Sequence, residues 1–137
     1  MAVVVKEFGG HAEVALMGVF DGHGPHGRSV AQLVAARLPA YLASHRSLFT
    51  GDLARRRAVI TAAVGKAHKK TLKELDASVS GCTACVAILG PQRLTVANVG
   101  HSRAMVVQVR RLISAAPRFS RSPFRPGAKE SWDASSS

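Results

Sequence analysis

The run Ala12–Phe20 constrains this chain more than any other stretch. It is apolar at both alternating positions, with Val14, Leu16 and Phe20 on one side and Ala15, Met17 and Val19 on the other. Successive side chains of a strand point to opposite faces, so this pattern predicts a strand buried on both sides. The run passes directly into Asp21-Gly22-His23-Gly24, with Pro25 and Gly27 just behind. A lone carboxylate and a titratable imidazole therefore stand at a strand tip, on a backbone free to turn sharply. A carboxylate oxygen is a hard-cation ligand, so the loop fits metal-assisted hydrolysis.

The remaining chain alternates between two periods. Val3–Val5 is a short β-branched run, and with Ala12–Phe20 it predicts a hairpin around Phe8–His11. From Arg28 the spacing of Val30, Leu33, Val34, Leu38, Tyr41 and Leu42 is helical, with Pro39 expected to kink or end the helix. A second helix is expected from Asp52, whose side chain can cap free amides. Its apolar stripe runs through Ile60, Ala63, Val64, Ala67, Thr71, Leu72 and Leu75, and Arg55–Arg57, Lys66, Lys69, Lys70 and Lys73 fill the other face as a solvated surface. Thr83–Leu89, Arg93–Val99 and Ser102–Val109 then predict three adjacent strands of an antiparallel meander. Residues 110–137 are basic and rich in serine and proline, and read as a mobile tail with little structure of its own.

Charge and cysteine content narrow the function classes. Nineteen Lys and Arg against eight Asp and Glu give a net charge of +11, which attracts anionic partners. No zinc finger, RNA-recognition aromatic motif or convincing helix-turn-helix accompanies that charge, and aromatic residues make up 5% of the chain, which argues against nucleic acid as the partner. No apolar run approaches the ~18 residues of a membrane span. The start of the chain lacks a secretory pattern, so a reducing cytoplasmic or nuclear setting is expected, without disulfides. Cys82 and Cys85 resemble a zinc or redox pair, but an offset of three places them on opposite faces of a strand.

Two stretches in order carry a family resemblance. Gly18-Val-Phe-Asp-Gly-His-Gly24 is the first; Ser80-Gly-Cys-Thr-Ala84 with Leu94-Thr-Val-Ala-Asn-Val-Gly-His-Ser-Arg-Ala104 is the second. Together they resemble the metal-dependent (PPM) type 2C serine/threonine protein phosphatases, and Pro25-His-Gly27 resembles the plant branch. The resemblance covers residues 2–109. It implies an α+β fold of antiparallel β-sandwich layers flanked by helices, here incomplete at both ends, with residues 1–109 as a partial phosphatase domain. It implies phosphorylated proteins as substrates and two Mg²⁺ or Mn²⁺ ions. Asp21 would bridge both ions, the Gly22 carbonyl would bind one, and a metal-bound water would attack phosphorus. His23 would protonate the leaving seryl or threonyl oxygen. No residue is expected to bind any other cofactor.

The charge pattern sets a limit on that chemistry. Two divalent ions bring four positive charges together, and several carboxylates normally hold them. Glu7 and Glu13 lie outside the family's acidic motif, Asp52, Glu74 and Asp76 belong to the helical region, and Glu130 and Asp133 fall in the tail. His101 stands where the family usually has aspartate, and the family's phosphate-binding arginine has no match. Impaired hydrolysis by this chain alone is therefore expected. The alternative is a non-catalytic pseudophosphatase or interaction fragment.

Overall fold

The computed structural model describes residues 1–107. The expected tail, 110–137, lies outside the described residues. Strands β1 (Ala2–Val5) and β2 (Ala15–Val19) form the first hairpin, joined through a 3₁₀ turn at Phe8–Gly10. The two-residue strand β3 (Gly22–His23) follows, then helices α1 (Gly27–Ala43), α2 (Ser47–Thr50) and α3 (Leu53–Glu74). The chain returns through β4 (Gly81–Cys82), β5 (Ala84–Gly90) and β6 (Arg93–Val99). One antiparallel sheet has the order β1-β2-β5-β6, and β3 pairs with β4 in a second small one. This is the expected α+β arrangement, with the described residues forming one sheet layer.

The register decides which residues are buried. Val5 opposes Leu16, Leu16 opposes Ile88, and Gly18 opposes Val86, so these share one face. Leu16, Phe20, Val86 and Ile88 are buried there against Val30, Val34, Leu38 and Leu42 of α1 and Val59, Ala63 and Ala67 of α3. Phe20 is fully buried, and its burial contributes about 2–3 kcal/mol to stability. Lys66 Nζ lies 4.4 Å from the centroid of the Tyr41 ring, a further link between α3 and α1.

The opposite face departs from expectation. Val4, Met17, Val19, Leu89, Leu94 and Val96 are all exposed. The strand predicted to be buried on both sides is covered on one side only, because both long helices pack on the Leu16 face and nothing among the described residues packs on the Met17 face. Leu72 is likewise exposed rather than part of the α3 stripe.

Two other expectations are corrected. Helix α1 continues through Pro39 to Ala43. Proline removes one helical donor, but Leu38, Pro39 and Leu42 are buried, and that packing keeps the last turn helical. Residues 102–107 form no third strand of a meander. The Ser102 hydroxyl is instead 2.7 Å from Thr83 Oγ1, which ties it to the residue before β5, while Met105, Val106 and Val107 lie in solvent. Asp52 caps α3 as expected, its Oδ1 accepting from the Arg55 amide at 2.8 Å.

Candidate metal loop

Asp21 leaves β2 immediately after the buried Phe20, and two short contacts fix its backbone. The Thr83 amide donates to the Asp21 carbonyl at 2.8 Å, and the Asp21 amide donates to Thr83 Oγ1 at 3.3 Å. Thr83 Oγ1 is also the atom that meets Ser102. One threonine thus joins the Asp21 loop to the turn that follows β6. With its backbone so held, Asp21 leaves its side chain exposed.

Glycines then allow an unusually close fold-back. A Cβ on Gly22 would strike the Gly27 carbonyl, and one on Gly27 would lie 2.7 Å from the Gly22 carbonyl carbon. The loop therefore packs backbone to backbone against the start of α1, an approach that side chains would forbid. Gly22 and His23 pair in register with Cys82 and Gly81. The His23 ring lies over Gly81, where a Cβ would come within 2.8 Å of Nε2. The His26 amide donates to Ser80 Oγ at 3.0 Å, a second tie between the loop and the small-residue segment. The two sequence stretches singled out for their chemistry, 18–24 and 80–104, converge at one end of the sheet.

The electrostatics around this loop are sparse. Asp76, the nearest carboxylate in sequence to the small-residue segment, accepts from the hydroxyl of Ser78 at 2.8 Å and from its amide at 3.3 Å. Those bonds, the hydroxyl's first, hold its carboxyl below the ordinary value. Among the described residues no group of three or more His, Cys, Asp or Glu side chains could hold a metal ion. Cys82 packs against the core, and burial pushes its thiol up. Cys85 sits in register with Val19 and Asn98 on the other side of the sheet. Both cysteines are free. Asn98 Nδ2 donates to the Gly100 carbonyl at 3.0 Å, a contact within the turn after β6.

Asp21, Gly22 and His23 were readable as neighbours because they are contiguous. The role of Thr83 in holding Asp21 was not. Its only sequence signal is a hydroxyl residue among small ones, in Ser80-Gly-Cys-Thr-Ala84.

A helix-backed antiparallel sheet with a carboxylate loop at one end, stitched to a small-residue hairpin, defines the class of this chain. Residues 3–116 match the family model described as Protein phosphatase 2C, and the chain belongs to that family. Members of the family are metal-dependent serine/threonine phosphatases. Probable protein phosphatase 2C 64 of Oryza sativa subsp. japonica is 41% identical over 105 residues, covering 72% of this chain and 24% of its own length. Probable protein phosphatase 2C 41 of Arabidopsis thaliana is 31% identical over 117 residues, with coverage of 77% and 33%. Protein phosphatase 1L of Bos taurus is 29% identical over 109 residues, with coverage of 75% and 30%. The chain therefore spans only a quarter to a third of the length of these relatives. No helix among the described residues is long and apolar enough to cross a membrane.

Proposed function

We infer that this chain carries the cation loop of a metal-dependent serine/threonine protein phosphatase whose substrates are phosphorylated proteins. Asp21 and the Gly22 carbonyl are the metal-facing oxygens of the proposal, and Mg²⁺ or Mn²⁺ suits such oxygen donors. His23 is the proposed donor of the proton taken up by the leaving seryl or threonyl oxygen. The observation that carries this reading is the Thr83 link, which brings the Asp21 loop and the hairpin of the second motif together. A cytoplasmic or nuclear setting is part of the same proposal.

The described residues do not fit a pair of divalent ions. Such a pair needs several anionic ligands, and no cluster of three candidate ligands is present among these residues. The same deficit favours, as a second reading, a non-catalytic interaction role for the isolated chain.

The test is Mn²⁺-dependent phosphate release from a phosphothreonine peptide, paired with paramagnetic broadening of backbone resonances by Mn²⁺. The expected result is negligible turnover, with weak broadening centred on residues 21–23 that disappears in Asp21→Ala. Absence of any loop-centred broadening would support the interaction role instead. Sustained turnover abolished by Asp21→Ala would show that the chain completes its own site.

A further inference from the structure

We propose that the outer side of α3, with Arg37 of α1 beside it, docks an acidic helical segment of a partner protein along the row Lys66, Lys69 and Lys73. Three observations point to that occupant. The first is the spacing of the row. Lys66, Lys69 and Lys73 are three and four positions apart, which puts them on one side of the helix, and all three are exposed. A rise of about 1.5 Å per residue makes the row about 10 Å long. Carboxylates with the same spacing on a second helix would meet it lysine by lysine.

The second is a charge imbalance with no local answer. Helix α1 carries two Lys or Arg and no acid, and α3 carries seven and one acid, Glu74. Lys70 and Glu74 form the one salt bridge among the described residues, so that carboxylate is already engaged. Arg37 lies close enough to act on it: the Lys70 hydrogen bond first, and then the charges of Lys70 and Arg37, hold the Glu74 carboxyl below its ordinary value. One turn along α1, the Tyr41 ring lies under Lys66 Nζ. Cations from both helices therefore border the groove between them.

The third is the chemistry of the face. An apolar face invites a further layer of the fold, whereas a lysine face resists one, because a buried ammonium without a partner is costly. Residues 110–129 hold six Lys and Arg and no Asp or Glu, and a second copy brings a net charge of +11, so neither supplies carboxylates. A lipid surface is a poorer match. Helices that lie on membranes turn an apolar side toward the acyl chains, and that side of α3 is spent in the core through Val59, Ala63 and Ala67.

The whole chain is titrated at about 0.15 M salt with a fluorescein-labelled, alanine-rich helical peptide bearing glutamates at i, i+3 and i+7, followed by anisotropy. Binding is expected to saturate, and to weaken about tenfold or more in Lys66→Glu/Lys69→Glu/Lys73→Glu. Lys66→Gln/Lys69→Gln/Lys73→Gln should weaken it in the same direction, and Lys66→Arg/Lys69→Arg/Lys73→Arg should retain it, with circular dichroism checking that each variant keeps its helices. The charge-matched variant Lys6→Glu/Arg93→Glu/Arg103→Glu, outside the helices, should bind as the unaltered chain does. Equal weakening by that variant, or equal binding of a peptide whose glutamates are scattered round its helix, would reduce the effect to net charge and overturn the proposal. Binding to phosphatidylserine vesicles that depends on the three lysines, with no saturable binding of the peptide, would assign the face to a membrane and overturn it equally.

Discussion

At the scale of single residues, the loop depends on atoms that are missing as much as on those present. Gly22 and Gly27 pass so closely that a methyl group on either meets backbone, which has no rotamer by which to yield. Gly22→Ala should therefore destabilise the chain by about 1–3 kcal/mol, the usual cost of overpacking, measured as a lower urea midpoint. Cys82 offers a pH-dependent counterpart. Burial raises its pKa above the ordinary 9.0, so the folded state favours the protonated thiol. That stabilisation is complete below 9.0 and is lost as pH rises through the folded value. Urea midpoints recorded between about pH 8 and pH 10.5 should fall in the unaltered chain and fall less steeply in Cys82→Ala. The residues of the candidate site divide in the same way between legible and hidden. Asp21, Gly22 and His23 announce themselves as a contiguous string, whereas Thr83 holds Asp21 across 62 positions of sequence. Such a contact depends on strand register, which local composition does not encode.

At the scale of elements, propensity and tertiary burial compete. Asp52 obeys local rules: it caps α3 and accepts from Arg55. Asp52→Ala should cost about 1 kcal/mol, read as reduced stability in urea with the α3 amides exchanging faster than those of α1. Pro39 disobeys them. Sequence predicts a kink or an end, and the helix does not end there but runs on to Ala43, because the neighbouring turn is buried. The short helix α2 carried no periodic signal, since four residues are too few to show one. The strands β5 and β6 were legible from their turn at Gly90-Pro-Gln92, but the third meander strand was not realised over 102–107. Its apolar run, Met105-Val106-Val107, fits a strand, but composition does not say what lies beneath.

At the scale of the whole molecule, the sheet is two-faced. One face packs against helices, and the other presents Met17, Val19, Leu89 and Val96 to solvent. A continuous exposed apolar sheet surface is an association hazard. The chain should self-associate with rising concentration in light scattering. Val19→Lys/Val96→Lys should suppress this while changing folding stability by no more than about 0.5 kcal/mol, as is usual at exposed positions. The alternating apolar run of β2 correctly marked a strand, and its double-sided character marked both faces as apolar. Whether both faces are covered depends on a second layer, which no pattern within residues 12–20 can report.

The pairing of β2 with β5 has a consequence for how the molecule comes into being. Residues 15–19 form the sheet's central ladder with residues 85–89, and all three helices are strung between them. During synthesis the first hairpin must wait, unpaired along its inner edge, until the ribosome has released the whole helical insert and the strand beyond it. Closure of so wide a loop sets the tempo of assembly, and in dilution refolding it predicts formation of the Leu16–Ile88 rung over about milliseconds to seconds, after the helices have already gained their circular-dichroism signal.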